Sequence, residues 1–284
     1  MNLFSILQSP DDGTPIRPDL TSEGGIRYEQ TASGILILRP RKPRPSDAVY
    51  SCPMFARWNS IVRERITYYT QKKSIAGWIA NWGYRCLDEF NRRPESSWIL
   101  DIGCGDGAHV CRLQDRSTYI GLDSNLERLE ILKKNHPETT AIYGDAASLP
   151  FKSGVIGRAF SSNAFEHLWY LKDAVLELHR CISRDGRMII VIPTEGGLWN
   201  LGRLLLSKPH FRKRHPDIDF EFISHVEHCN EARQVLRTLE TFFRLRKSYK
   251  PTGLPTVLLN AFIEIRCVRR NEPDLEWISD QRSR

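Results

Sequence analysis

An α/β fold, a mostly parallel sheet with helices on both faces, is what this 284-residue sequence predicts, and three observations predict it. Short apolar runs near residues 98, 118, 140 and 158 each end in glycine or a small polar residue. Two stretches, Leu126 to Asn135 and Leu171 to Ile182, read as crossover helices that return the chain to a parallel strand. Arg187 to Ile192, apolar from Met188 onward, reads as a strand buried on both faces.

The elements follow in order. Residues 1–45 hold six prolines and two short alternating runs, Gly25 to Glu29 and Gly34 to Leu38, and predict a small β-rich module. Residues 46–95 read as helical, because Ile61, Ile66, Tyr69, Ile75, Ile79, Trp82 and Leu87 recur mostly at gaps of three to five. The domain proper spans 96–270. Its first strand, Trp98 to Leu100, runs into Asp101-Ile102-Gly103-Cys104-Gly105-Asp106-Gly107, and a helix start is expected from Ala108 to Leu113. Glycines that accept φ > 0 let main-chain N–H groups approach a ligand in such a turn. The second strand, Thr118 to Leu122, ends at Asp123 and Ser124, where a carboxylate can accept two hydrogen bonds from a ribose diol. The third, Thr140 to Tyr143, ends in Gly144-Asp145-Ala146, and the fourth, Arg158 to Ser161, ends in Ser162-Asn163. Four such ends on one sheet edge mark the place where open α/β sheets bind ligands. Pro193 closes the fifth strand, residues 194–229 form a lid or substrate insertion, and Glu231 to Phe242 resumes a helix. Leu245 to Tyr249 and Ala261 to Val268 complete seven strands as an antiparallel pair, and 271–284 reads as a flexible tail.

The set Asp101 to Gly107, Asp123, Gly144-Asp145-Ala146 and Ser161 to His167 resembles the class I S-adenosylmethionine-dependent methyltransferases, closely over 97–194 and more loosely to 270. The resemblance implies a Rossmann-like, seven-stranded sheet and S-adenosyl-L-methionine as cofactor. It implies that Asp101, Gly103 and Gly105 lie by the methionine portion and that Asp123, with Ser124 beside it, takes the ribose hydroxyls. Asp145 and Ala146 sit at the adenine, Asn163 lies beneath the sulfonium end, and the helices before the first strand cover the cofactor. A nicotinamide dehydrogenase is the competing reading, since Gly103, Gly105 and Ala108 also fit the looser dinucleotide fingerprint. Against it stand Asp101, whose charge would repel a pyrophosphate, the Gly-Asp-Ala of the third strand and the run Phe165-Glu166-His167.

The amino-terminal residues, Leu7 to Asp12 followed by Arg27-Tyr28 and Gly34 to Leu38, look like the zinc-ribbon module attached to bacterial methyltransferases. That module has Cys-Pro-x-Cys where Ser9-Pro10-Asp11-Asp12 stands here, so the expectation is its hairpins without metal. A disordered leader is the plainer alternative.

Composition bounds the rest. Seven cysteines without a C-x-x-C pair argue against a disulfide framework or structural zinc and fit a cytoplasmic location. Apolar runs fall far short of the ~20 residues a spanning helix needs, and the start has no secretory signal pattern. Lys and Arg number 41 against 34 Asp and Glu, and the excess clusters at Arg39 to Arg44 and at Lys208 to Arg214. A basic patch suits an anionic small molecule, a glycan-type or lipid-linked acceptor, or RNA. Residues 198–214, apolar with a basic end, read either as a lid or as a peripheral membrane contact.

For catalysis, His167 is the first candidate base, since an imidazole titrates in the useful range, against a merely structural role for Glu166-His167. His225 and His228, with Glu227 between them, rank next; their spacing with no third ligand does not favour a metal. Ser161 to Phe165 lacks the Pro-Pro-aromatic turn of amino-group methylation, and no Pro-Cys pair offers covalent attack on a pyrimidine. The leading function is therefore O-methylation of a small or glycan-type acceptor. An RNA base methyltransferase and an inactive methyltransferase-like scaffold are the alternatives.

Overall fold

The computed structural model describes residues 1–61, 83–91, 97–194, 213–256 and 259–270, apart from the side chains of Tyr50, Phe220, Ser224 and His225. The strands are β1 (Glu29–Gln30), β2 (Leu36–Ile37), β3 (Ile99–Ile102), β4 (Tyr119–Asp123), β5 (Thr140–Tyr143), β6 (Ile156–Ser162), β7 (Ile182–Pro193), β8 (Phe243–Lys250) and β9 (Phe262–Arg269). They form one sheet in the order β1-β2-β5-β4-β3-β6-β7-β9-β8. From β2 to β7 neighbours run parallel, while β9 lies antiparallel to both β7 and β8 and β1 antiparallel to β2.

The α/β class is the expected one, with nine strands in place of seven. The two additions come from the amino-terminal segment, where Leu36 and Ile37 pair in parallel with Ile142 and Tyr143. Apolar burial explains the docking: Leu7, Ile16, Tyr28, Leu36 and Leu38 join the same buried cluster as the sheet core. Ser9 Oγ accepts the N–H groups of Asp11 and Asp12 at 3.2 Å each, and the Tyr28 hydroxyl meets Ser9 Oγ and Asp11 at 2.7 Å. Hydrogen bonds thus hold the turn where the ribbon resemblance puts a cysteine pair.

Every residue of β3 and β4 is buried, as a strand covered on both faces requires. Helices Leu171–Cys181 and Ala232–Phe242 cover one face through Ala174, Val175, Leu178, Val235 and Leu239. Helix Leu126–Asn135, capped by Asn125 accepting the Arg128 N–H, covers the other with Cys86, Leu87 and Phe90. The helix start expected at 108–113 is instead one 3-10 turn, Val110–Arg112. Gly107 at φ 70° and His109, whose ring is bonded to the buried Asp101, fix the preceding backbone in a turn.

Of the expected helical region 46–95, the structure describes Pro45–Tyr50, 53–61 and 83–91. Phe55, Trp58 and Ile61 pack against Ile218, Ile223 and Val226, so 53–61 and helix Phe220–Glu227 support one another. The membrane-contact expectation for 198–214 lies outside the described residues except for Lys213 and Arg214, as does the tail 271–284. Among the described residues no helix is long and apolar enough to cross a membrane, and no three His, Cys, Asp or Glu gather as metal ligands.

Candidate functional site

The carboxyl ends of β3, β4, β5 and β6 open into a cavity of about 440 Å3. Gly103, Asp123, Ser124, Asp145, Ala146, Asn163 and His167 line it, together with Arg39, Arg128, Tyr143, Tyr170 and Glu227. Gly103 adopts φ 69°, and a Cβ there would stand 2.3 Å from the Ala164 Cβ, so only glycine fits this crossing of backbone and wall. Asn163 stands at φ 51°, a left-handed conformation uncommon outside glycine, where β6 turns away from the sheet.

Asp123 is held from two sides. Its Oδ2 accepts the Gly105 N–H and its Oδ1 the Asn125 N–H, each at 2.8 Å. Burial raises its pKa above the ordinary carboxylate range, and the neighbouring Arg128 and these N–H donors pull the other way. Gly105 does not itself line the cavity; it acts on it through Asp123.

Asp101, expected by the methionine portion, is not among the residues that line the cavity. Its side chain is fully buried, bonded to His109 Nε2 and accepting the Tyr119 hydroxyl. A carboxylate taken out of water needs such partners. Here they tie the glycine loop to β4.

Asp145 is engaged as well. Arg44 reaches its Oδ2 at 3.1 Å, the Ala147 N–H donates to Oδ1 at 2.8 Å, and the Arg44 guanidinium lies 4.6 Å from the centre of the Tyr170 ring. Arg39 is bonded to Asp47 and donates to the Tyr143 hydroxyl at 3.0 Å.

His167 lies at the mouth, and its Nδ1 is bonded to the Glu227 backbone carbonyl. A carbonyl only accepts, so Nδ1 carries the proton, while Nε2 faces the buried Glu166, 3.8 Å from its Oε1. The His228 ring packs edge-on against it, 4.9 Å between centroids, and does not line the cavity. His225 sits on helix Phe220–Glu227, with its side chain outside the described residues. Burial pushes the Glu227 carboxyl up. Sequence reasoning missed the lining roles of Arg128, Tyr143 and Tyr170. Arg128 stands one helical turn after the Asn125 cap, the single signal that would have aimed it back at the loop.

Comparison with known proteins bears on this geometry. Residues 100–190, which hold the glycine loop, Asp123, Asp145, Asn163 and His167, match the family model described as "Methyltransferase domain". This segment is similar to a methyltransferase domain. A solved structure from Thermotoga maritima, a SAM-dependent methyltransferase described as a possible histamine N-methyltransferase, superposes with a TM-score of 0.50 at 17% identity. It covers 76% of this chain and 98% of that one, and shows a Rossmann-like fold. Among curated relatives, the biotin biosynthesis bifunctional protein BioHC of Cellvibrio japonicus is 30% identical over 132 residues, 46% of this chain and 26% of that protein. A malonyl-[acyl-carrier protein] O-methyltransferase of Hamiltonella defensa is 31% identical over 110 residues, 38% of this chain and 42% of that protein. The chain spans less than half the length of the curated relatives it matches.

The cofactor of this methyltransferase class is S-adenosylmethionine, and the cavity's donor set fits it. Asp123 offers a carboxylate for a diol, Ala146 and Tyr143 offer apolar walls for a base, and Gly103 lets backbone approach the chain end.

Proposed function

We propose that this chain methylates an oxygen of a small anionic acceptor, glycan-type or lipid-linked, at the mouth of the cavity described above. The observation that carries the reading is His167, whose ring is oriented by the Glu227 carbonyl so that its basic nitrogen is Nε2, at the rim of a cavity that suits adenosine.

When bound, S-adenosylmethionine supplies a methyl group already activated by its sulfonium. Asp123 would hold the ribose hydroxyls when the cofactor is bound. Asn163 and Gly103 would close the cavity wall with backbone. The segment 53–61 and helix Phe220–Glu227, packed on each other, keep water from the mouth. His167 Nε2 takes the acceptor hydroxyl proton as the oxygen is alkylated, an assistance worth roughly 10²–10⁴-fold. His228 supports that ring, and Arg128, on the same wall as Asp123, suits a carboxylate. Exposed Lys213 and Arg214, one turn of chain before Asp217 and its partner Arg57, favour an anionic acceptor. The relative named as an O-methyltransferase supports oxygen as the target. We read the amino-terminal turns as a ribbon whose thiolates have given way to the Ser9–Tyr28–Asp11 hydrogen bonds.

Calorimetry with S-adenosylhomocysteine is the first test: saturable binding is expected, and none would leave an inactive scaffold. Radiolabelled methyl transfer into fractionated extracts then identifies the acceptor. His167→Gln is expected to lower turnover by about 10²-fold or more while cofactor affinity stays within twofold. Full turnover in that variant removes His167 as the base. Product that resists ribonuclease and depends weakly on salt is expected; ribonuclease-sensitive product with a steep salt dependence would show RNA methylation instead.

A further inference from the structure

A second cavity, of about 420 Å3, lies away from the methyltransferase site, at the opposite end of the parallel strands, and five arginines line it together with a single acid, Glu89. The sheet register explains how they come together. Arg187 of β7 and Arg244 of β8 both pair with Val268 of β9, and Ile189 of β7 and Arg246 of β8 both pair with Arg266. Directly opposed residues share a face, so one patch of sheet presents Arg187, Arg244, Arg246 and Arg266 around Ile189 and Val268. Phe90, from the segment covering β6, forms the apolar side wall.

These arginines are not alike. Arg266 is bonded to Glu89 at 2.9 Å and to Glu264, and Arg158 at the cavity's inner end is bonded to Ser97 and the Phe90 carbonyl. Arg187, Arg244 and Arg246 are exposed and have no ion pair among the described residues. Arg246 stands directly opposite Arg266, an arrangement of like charges that weakens a strand pair. Adjacent strands are ~4.8 Å apart and i,i+2 neighbours ~6.8 Å, which sets the backbones of the three unpaired groups within about 12 Å of one another. Guanidinium forks at that spacing converge on a compact polyanion, which would also relieve their mutual repulsion. Val268, 50% exposed at the centre of the patch, and the Phe90 wall add a place for a flat apolar group. A concavity of this size is of small-ligand scale and offers no extended track for a polymer.

We propose that this cavity binds a nucleoside di- or triphosphate, its phosphates on Arg187, Arg244 and Arg246 and its base against Val268 and Phe90. The site is separate from the cofactor cavity, and the proposal does not rest on the methyl-transfer reading.

The test is calorimetry of the full chain with excess S-adenosylhomocysteine, so that adenosine recognition at the methyltransferase site does not contribute. ATP and ADP are expected to bind with unit stoichiometry, inorganic tripolyphosphate at least tenfold more weakly, and adenosine not measurably. R244E/R246E and, on a different strand, R187E should each weaken ATP at least tenfold with melting temperature unchanged, while R233A on helix Ala232–Phe242 leaves it as it was. If one charge-reversal variant unfolds, the other still reads the site. Absence of ATP binding to the wild type overturns the proposal, as does binding that neither variant weakens. Tripolyphosphate binding as tightly as ATP overturns the nucleoside part. An RNA oligonucleotide that binds more tightly than ATP and loses affinity in the same variants overturns it in favour of nucleic acid.

Discussion

The two ends of the sheet carry arginine in opposite states. At the cofactor end, Arg39 is bonded to Asp47 and Arg44 to Asp145, and each also meets a tyrosine ring, so both serve to build the wall. At the far end Arg187 on β7 and Arg244 and Arg246 on β8 stand on one face of the sheet with no ion pair among the described residues, the one acid lining that cavity, Glu89, being bonded to Arg266. Charge that is neutralised within the chain supports the fold; charge left over is available to something else. Net charge, the same in either arrangement, does not distinguish the two.

The largest effect that would sharpen this contrast belongs at the cofactor end. Gly103→Ala forces a side chain into φ 69° and 2.3 Å from Ala164, and is expected to lower stability by about 2–4 kcal/mol. A denaturant midpoint shift reads it, and a wild-type midpoint would show that the loop gives way. Next, Asp123→Ala should weaken S-adenosylhomocysteine by roughly 10–100-fold, the worth of charge-assisted hydrogen bonds of about 1.5–3 kcal/mol, with the arginine cavity unaffected. Cofactor affinity should also depend on pH. Because burial raises the Asp123 pKa, the ionised form that grips a diol is fully present only above that raised value, and affinity falls as pH drops through it. Titrations from pH 8 to pH 4 check this, and Asp123→Asn should flatten the profile. Smaller still, Asp47→Ala strips Arg39 of its partner and should destabilise by about 1 kcal/mol. Removing Arg246 should change stability by no more than ~0.5 kcal/mol, and upward, because a like-charge neighbour goes with it. Equal losses at both ends would erase the distinction.

The cavity at the carboxyl edge of the sheet was legible because strand ends are marked locally, by a turn and one polar residue. Gly103, Asp123, Asp145 and Asn163 each follow an apolar run, and the run fixes where they point. The partners of Asp101 were not legible: sequence shows its neighbourhood to the glycine turn, while His109 and Tyr119 come from a turn and a different strand. The two amino-terminal strands were read as a module apart, since pairing of Leu36 with Ile142 is a long-range event with no local signal. The arginine cavity was wholly hidden. Arg187, Arg244 and Arg266 lie far apart in the chain and become neighbours only through the register of β7, β9 and β8.

That pairing of β2 with β5 also sets a timetable. Leu36 leaves the ribosome more than a hundred residues ahead of Ile142, a delay on the order of 5–20 s at ordinary rates of translation. Through that interval Ile35, Leu36 and Leu38, all buried in the finished molecule, have no sheet to dock on. The nascent chain therefore spends its youth with its stickiest residues bare, and its yield in the cell should track the supply of chaperones that shelter such segments.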